Sequence, residues 1–184
     1  MQVRALKDIK AGDEILGSYC GDTGVTIAER QKILACYGFQ CTCASCSDPL
    51  SDHLYAKILS SDQQLDGSYQ TWFKDLTLPD DHIIKPSLLW VSLIEQQGFP
   101  FKTIYYHHLD TIVKSFIALG DLENSVKHGM KLARYFVAMT GQEQLMKERA
   151  DPNYYSRDRS FGTRRSVGKA KRKGKSKGKS ARAA

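Results

Sequence analysis

Apolar side chains recur at helical spacing through the central part of the chain. One stripe of apolar residues at intervals of three or four runs through residues 101–116, and a second runs through 122–137. Only the segment Leu119-Gly120-Asp121 separates them, which predicts two helices packed antiparallel. Shorter apolar stretches of helical character lie upstream, at 54–65, 72–76 and 86–94. We therefore predict an all-helical array over residues 51–146.

The first 38 residues have a different pattern. Two short β-prone runs, at 3–6 and 14–19, flank a turn containing Gly12, and they predict a pair of strands. Thr26 is followed three residues later by Glu29, which is the spacing of a capping box. A helix is therefore expected to begin at residue 27, with Ile27, Ile33 and Leu34 available for burial and Gly38 beyond its end.

The positive charge of the chain is confined to one end. The net charge is +7, but residues 164–184 hold ten of the 27 basic residues and no acidic residue, so the rest carries 17 basic and 20 acidic side chains. Beyond Phe161 the only sizeable apolar side chain is Val167. Such a segment cannot bury enough surface to offset its ordering entropy, and we predict a disordered basic tail over 147–184.

Two classes of protein are excluded by composition. No apolar run approaches the ~18 residues that a membrane span needs, so no membrane partner is expected. The five cysteines are an odd number, and they are bunched between Cys20 and Cys46 rather than spread along the chain. This distribution favours intracellular thiol chemistry or metal binding over a disulfide framework.

The densest cysteine cluster predicts a zinc site. Cys41, Cys43 and Cys46 have the spacing C-x-C-x-x-C within a segment of small polar residues, which favours a loop. Zinc takes four tetrahedral ligands and favours thiolates, so a fourth ligand is needed. The sequence leaves three candidates for it, none with compelling spacing: Cys36, Cys20 and His53. A run of free thiols or a redox pair is the alternative.

The same region resembles the end of a SET domain running into a post-SET segment, in the style of fungal SET proteins and the SET and MYND group. The similarity covers about a quarter of the chain. It is carried by Asp8-Ile9-Lys10-Ala11-Gly12-Asp13-Glu14-Ile15, Ser18-Tyr19 and Tyr37-Gly38-Phe39-Gln40-Cys41-Thr42-Cys43-Ala44-Ser45-Cys46.

The resemblance implies a protein-lysine methyltransferase that uses S-adenosylmethionine. Tyr19 corresponds to the active-site tyrosine, whose hydroxyl lies near the target nitrogen. Tyr37 and Phe39 correspond to aromatic residues that line the lysine channel, where rings suit an alkylammonium chain. An equal alternative is that these two are core aromatic residues that support a zinc loop. The three clustered cysteines correspond to post-SET zinc ligands.

The sequence also departs from this family. There, an Asn-His-Ser-Cys stretch that helps bind S-adenosylmethionine and supplies a fourth zinc-ligating cysteine lies upstream of the region matched here. We therefore expect the chain to be incomplete as an enzyme on its own, and Met1 to be an internal start, a truncation or a split gene. The segment 118–127 resembles the turn and second helix of a tetratricopeptide-like repeat, with Ser125 and Ala133 as small packing positions.

Together these observations predict an α+β fold that is mostly α. The expected parts are a SET remnant (1–38), a post-SET zinc loop (39–50), a tetratricopeptide-like helical domain (51–146) and the disordered tail (147–184). The first hypothesis for function is the C-terminal portion of a SET-type lysine methyltransferase. The alternative is a non-catalytic helical module that binds protein partners.

The basic tail and the histidines complete the predictions. Lys169-Ala170-Lys171-Arg172-Lys173 is typical of a nuclear import signal. Weak nucleic-acid contact through 164–184 and a tail that only aids solubility are the alternatives. Nuclear or cytoplasmic location, or both, is expected. His107, His108 and His128 have no carboxylate or cysteine partner at ligand spacing, so structural or surface roles are expected for them.

Overall fold

In a computed structural model of the chain, every regular element of the described residues is an α-helix. The structure describes residues 9–14, 19–20, 26–97 and 102–165. In chain order the helices of this part are α1 (Ile27–Ala35), α2 (Ala44–Ser47), α3 (Ser51–Lys74), α4 (Ile84–Gln96), α5 (Lys102–Leu119), α6 (Leu122–Thr140), α7 (Gln144–Ala150) and α8 (Pro152–Ser156). None of these helices is long and apolar enough to cross a membrane.

The predicted β remnant, and with it the α+β fold class, is wrong: the described part of the chain contains no strand. Residues 3–6 and 15–18, which carry most of the two β-prone runs, lie outside the described residues. Between them the backbone N–H of Asp13 donates to the Lys10 carbonyl at 3.0 Å, and the Lys10 N–H donates to the Asp13 carboxylate at 2.9 Å. These bonds close the local turn that the sequence predicted around Gly12.

Helix α1 begins as the sequence predicts. The backbone N–H of Glu29 donates to the Thr26 hydroxyl, and the Glu29 carboxylate accepts from the Thr26 backbone N–H at 2.8 Å, which is a complete capping box. Leu34 is buried, but Ile33, which was expected inside, is 36% exposed. The buried face of the helix is therefore narrower than its apolar residues predict.

Helix α3 is one continuous element of 24 residues, whereas the apolar pattern indicated two segments. The hydroxyls of Ser61, Ser68 and Thr71 donate to carbonyls three or four residues earlier in the same helix. The polar side chains therefore find partners within the helix and do not interrupt it. Trp72 lies near its C-terminal end and is completely buried.

Helices α5 and α6 pack antiparallel, as predicted. Tyr105, near the start of α5, contacts Tyr135, near the end of α6, with ring centroids 5.0 Å apart, and Phe116 stacks on His128 at 5.3 Å. Helices α3 and α4 pack against α5 and complete the core. The buried apolar residues of its main cluster are Tyr55, Ile58, Val91, Ile94, Ile104, Tyr105, Leu109, Ile112, Val113, Ile117, Leu132, Tyr135 and Tyr155.

Helix α4 buries one face. It begins at Ile84, two residues before the apolar stretch 86–94 that predicted helical structure here. Val91 and Ile94 are buried, whereas Leu89 is 58% exposed. The apolar stretch therefore lies only partly in the core.

Helical structure continues past residue 146, where the sequence predicted disorder. Helices α7 and α8 follow α6, and Tyr155 of α8 is completely buried. Its ring lies against α6 at Gly129, and its hydroxyl donates to the Arg149 carbonyl at 2.9 Å. The composition of this segment did not predict any buried contact. The segment is nevertheless fixed to the core, because the large ring of Tyr155 packs against a glycine.

The residues after α8 are also fixed to the helical core. The N–H of Gly162 donates to the Ile117 carbonyl at the end of α5 at 2.9 Å, and Phe161 packs against the main core cluster. The described structure ends at Arg165, so the predicted disorder of residues 166–184 lies outside the described residues.

Candidate metal centre

The three clustered cysteines lie on a tight turn between α1 and α3. The backbone N–H groups of Cys46 and Ser47 both donate to the Cys43 carbonyl, at 2.9 and 3.0 Å, and form the single helical turn α2. This folding brings the Sγ atoms of Cys41, Cys43 and Cys46 within 4.8 Å of one another. The group of three cysteines could therefore hold a metal ion.

A side chain of α1 fixes the entrance to this turn. The Gln31 amide donates to the Cys41 carbonyl at 2.7 Å, and its oxygen accepts from the Cys41 backbone N–H at 3.0 Å. Both backbone groups of Cys41 are thus held by one residue ten positions earlier in the chain. The Ser47 hydroxyl donates to the Thr42 carbonyl at 3.0 Å and closes the other side of the turn.

A buried arginine lies beneath the turn. Arg30 donates from Nη2 to the Ser45 carbonyl at 3.3 Å, and its guanidinium lies 4.5 Å above the ring of Tyr55 in α3. The Ser45 hydroxyl donates to Gln97 at the end of α4 at 3.0 Å. The cysteine turn is therefore tied to the helical core on two sides.

The thiols have unequal proton affinities. Burial opposes ionisation of Cys43, but hydrogen bonds to the Cys46 backbone and to the other two thiols outweigh it, and the pKa of Cys43 is lowered. Burial raises the pKa of Cys46 to about 11, against the lowering effect of Arg30. Cys43 thus ionises before Cys46, because hydrogen bonds from the neighbouring groups stabilise its thiolate.

The donor set fits zinc. Zn–S bonds of about 2.3 Å in a tetrahedral site bring sulfur atoms to roughly 3.8 Å of one another. The sulfurs here lie within 4.8 Å, so a shift of about 1 Å closes them around an ion. Arg30 carries positive charge next to Cys46, which favours thiolate at that position.

The three candidates for a fourth ligand stand apart from this group. In the described part of the chain, Cys20, Cys36 and His53 do not join the clustered sulfurs. Cys36 ends α1, where its thiol faces the Lys32 carbonyl at 3.9 Å, and His53 is exposed on α3. The sequence did not identify a fourth ligand, and none of the other described residues joins the group of three cysteines.

An exposed aromatic cluster lies immediately before the cysteine turn in sequence. The ring centroid of Tyr19 is 5.0 Å from that of Tyr37 and 5.9 Å from that of Phe39, although 18 and 20 residues separate them. The three side chains are 58%, 59% and 43% exposed. They are therefore surface residues that face one another rather than core residues beneath the loop.

A shallow groove of about 390 Å³ lies beside Phe39. Phe39 and Gly38 line it together with Gln31, the residue that holds Cys41, and Ala35 of α1. The backbone of Gly38 has a φ of +78°, a conformation that glycine adopts without strain. This glycine lets the chain turn out of α1 and carry Phe39 toward Tyr19.

Sequence analysis missed Arg30 and Gln31 as residues of the site. Both lie on α1, four to five residues after its cap, where a charged and an amide side chain read as solvent-facing. Their roles depend on contacts with residues 10 and 15 positions away, which no local spacing reveals. The burial of a single arginine in this helix has no signature in the sequence.

Comparison with known proteins identifies no relative. No family model matches the chain, and neither the curated proteins nor the solved structures include a significant match.

Proposed function

We propose that this chain is the C-terminal portion of a SET-type, S-adenosylmethionine-dependent protein-lysine methyltransferase, and that it is incomplete as an enzyme on its own. The observation that carries the proposal is the convergence of Tyr19, Tyr37 and Phe39. The family resemblance assigns these three residues to one catalytic channel. Their rings lie within 6 Å of Tyr19 next to the cysteine turn, although they come from separate segments.

The aromatic cluster has the chemistry that a lysine side chain requires. Exposed ring faces attract an ammonium group and pack against its methylene chain. The phenol of Tyr19 can accept a hydrogen bond from the lysine nitrogen and orient it once that nitrogen has lost its proton. S-Adenosylmethionine supplies the methyl group when it is bound, and in the family its site lies largely upstream of the residues matched here.

The role of the metal follows from the position of the cysteine turn. We propose zinc as the ion, with Cys41, Cys43 and Cys46 as three ligands and a fourth from outside this group. Phe39 lies two residues before the first ligand, so an ion that fixes Cys41 also fixes Phe39. The metal would be structural, and its effect on catalysis would be exerted through the aromatic cluster.

The test is methyl transfer by the polypeptide isolated from its native source, so that any segment that accompanies these residues in the cell is present. Transfer of tritiated methyl from S-adenosylmethionine to lysine in a mixture of proteins is measured. Tyr19→Phe should lower the rate about 100-fold by removing the orienting oxygen. Tyr154→Phe, a change at an exposed tyrosine of α8, should have no effect. Lysine methylation that is absent, or that Tyr19→Phe leaves intact, contradicts the proposal.

A non-catalytic protein-interaction module remains the second candidate. It is favoured by the continuity of the core formed by α3, α4, α5 and α6, which does not depend on the aromatic cluster. In that case the native polypeptide would transfer no methyl group. It would instead retain a protein partner whose binding is insensitive to Tyr19→Phe.

We also propose nuclear import through the basic run 169–173, which rests on sequence alone. A fluorescent reporter that carries residues 164–184 should accumulate in the nucleus, and Lys171→Gln with Arg172→Gln should abolish the accumulation. An unchanged, even distribution of the reporter contradicts import. Retention of the tail on nucleic acid in the absence of import would favour weak nucleic-acid contact instead.

A further inference from the structure

The three thiols of the cysteine turn differ in their access to solvent. Cys43 is exposed, whereas Cys41 and Cys46 are half-buried, and all three are free thiols. An oxidant in solution attacks an accessible sulfur first, and a second thiol close to the oxidised sulfur determines the product. Cys43 is therefore the sulfur of this turn that meets an oxidant, and its two neighbours are the thiols that can react with it afterwards.

The backbone of α2 suits a disulfide between Cys43 and Cys46. The Cys46 N–H donates to the Cys43 carbonyl at 2.9 Å, so the two residues lie about one helical turn apart. Residues three positions apart on such a turn have their Cα atoms about 5 Å from each other, which is within the range that a disulfide bridges. Their Sγ atoms lie within 4.8 Å. Rotation of the two side chains can therefore close the bond while the turn is kept.

Cys41 is less suited to pair with Cys43. Its backbone N–H donates to the Gln31 amide oxygen at 3.0 Å, and its carbonyl accepts from the Gln31 amide nitrogen at 2.7 Å. A movement of the Cys41 backbone toward Cys43 has to break these two bonds. Closure of the pair in α2 does not involve them.

We propose that Cys43 and Cys46 are a site of reversible oxidation, at which hydrogen peroxide forms a disulfide and releases the zinc ion. This inference rests on the proposed zinc site and concerns the regulation of that site. The observations that carry it are the exposure of Cys43 and the position of Cys46 on the same helical turn.

The oxidation takes place in two steps. The Cys43 sulfur attacks one oxygen of the peroxide, the O–O bond breaks, hydroxide leaves, and Cys43 becomes a sulfenic acid. The Cys46 thiolate then attacks the Cys43 sulfur, an S–S bond forms, the S–O bond breaks, and a second hydroxide leaves. Two thiolates are oxidised by two electrons in all, and one peroxide is reduced to two hydroxide ions, which take up two protons to give water.

The disulfide removes two of the three sulfur ligands in the group. Zinc is held by thiolates, and a disulfide sulfur carries no negative charge, so Cys41 alone is left to bind the ion. Phe39 lies two residues before Cys41 and loses the support of the metal when the ion leaves. Oxidation therefore disconnects the aromatic cluster from the metal centre, and a thiol reductant that reaches the exposed Cys43 restores the connection.

The test is treatment of the full, reduced, zinc-loaded chain with hydrogen peroxide. Released zinc is measured with a chromophoric chelator, free thiols are alkylated, and the disulfides are located by peptide mapping. We expect zinc release in step with the loss of two thiols, a disulfide between Cys43 and Cys46 within one chain, and recovery of zinc binding after dithiothreitol. Zinc that is retained in peroxide overturns the proposal, as do disulfides that join two chains or that use Cys20 or Cys36.

Three variants identify the sulfurs that react. Cys46→Ser leaves Cys43 without its partner in α2, so peroxide should convert Cys43 to the sulfinic or sulfonic acid, which dithiothreitol does not reverse. Cys41→Ser keeps the pair and should still form the disulfide, even if its zinc is lost. Cys36→Ser is the matched control, because Cys36 is exposed as Cys43 is but lies outside the clustered sulfurs, and it should change nothing. A disulfide that is lost in Cys41→Ser, or a Cys43 that remains reducible in Cys46→Ser, contradicts the assignment.

These readouts separate the oxidation from methyl transfer. Zinc content and the oxidation state of each sulfur are measured without S-adenosylmethionine or a lysine substrate. Zinc that resists peroxide overturns the inference and leaves the proposed methyltransferase intact. Reversible oxidation in a polypeptide that transfers no methyl group supports the inference and contradicts the proposed function.

Discussion

At the scale of single residues, two side chains of α1 decide the geometry of the metal centre. Gln31 satisfies both backbone groups of Cys41, and Arg30 holds the carbonyl of Ser45. Neither residue is a metal ligand. They act by holding the backbone from which the ligands project, as partners around metal ligands generally do.

Gln31→Ala should weaken metal binding without changing any ligand. The two hydrogen bonds to Cys41 are lost, and the backbone of the turn must then be ordered by the metal itself. We expect an affinity for cobalt or zinc about tenfold lower, measured by competition with a chromophoric chelator. Gln40→Ala, a change at an exposed residue next to Cys41, is the control and should have no effect. Equal affinities for the two variants would mean that Gln31 does not organise the site.

His108 should make stability depend on pH. Burial lowers its pKa to about 4, while its ring contacts Ser61 at 2.9 Å and Ser87 at 3.4 Å. Below about pH 6.5 the unfolded chain binds a proton there that the folded chain does not. The free energy of unfolding should therefore fall by up to about 3 kcal/mol as the pH is lowered from 7 to 4.

Two histidine variants isolate this effect. His108→Gln should flatten the fall in stability between pH 6.5 and 4, measured by urea denaturation at a series of pH values. His82→Gln, at an exposed histidine, should leave the fall unchanged. If His108→Gln retains the full pH dependence, other groups are responsible for it.

At the scale of elements, the packing of α8 on α6 depends on a glycine. A Cβ atom at Gly129 would lie 1.8 Å from the Tyr155 hydroxyl oxygen, whereas a Cβ at Gly67 in α3 would have no atom within 4 Å. Both glycines lie inside helices, where alanine has the higher helix propensity. The same substitution should therefore have opposite effects at the two positions.

Gly129→Ala should destabilise the protein by about 1–3 kcal/mol, since Tyr155 must move out of its buried position. Gly67→Ala should stabilise it by about 0.5–1 kcal/mol. Thermal unfolding followed by circular dichroism measures both. Stabilisation by Gly129→Ala would mean that α8 does not pack on α6 as described.

The elements also show which parts of the fold follow from sequence. The capping box at Thr26 and the antiparallel pair α5 and α6 could be predicted, because caps and apolar stripes are local patterns. The burial of Tyr155 could not, because it depends on a glycine 26 residues away in the sequence. The strand prediction is wrong for the described residues, because β-prone residues are a local pattern and a strand also needs a partner strand.

The candidate site likewise has features that a local sequence pattern predicts and features that depend on long-range contacts. The spacing of Cys41, Cys43 and Cys46 identified the group that could hold a metal ion, since three thiols in six residues are brought together by any tight turn. The contact of Tyr19 with Tyr37 and Phe39 was implied only by family resemblance, because it spans about 20 residues.

At the scale of the whole molecule, the C-terminal segment is part of the folded unit. Arg164 has the strongest connection, because it reaches three carbonyl groups and the ring of Trp72 from the last described turn of the chain. Removal of a buried group of this kind leaves carbonyls without donors. The segment 157–165 should then detach from the end of α3.

Arg164→Gln should accordingly lower the free energy of unfolding by about 2–4 kcal/mol and expose residues 157–165 to protease. Arg165→Gln, at the exposed neighbour, removes the same charge and should change stability by less than about 0.5 kcal/mol. Limited proteolysis with mass spectrometry distinguishes the two. Equal resistance of both variants would contradict an anchoring role for Arg164.

The proposed function depends on a metal ion in the cysteine turn, because the turn positions Phe39 and connects the aromatic cluster to the helical core. The most direct measurement is the zinc content of the purified chain together with X-ray absorption at the zinc edge. We predict one zinc ion per chain with at least three sulfur ligands at about 2.3 Å, lost in Cys43→Ser and retained in Cys36→Ser. A chain that binds no zinc when reduced, or zinc held without sulfur, would contradict it.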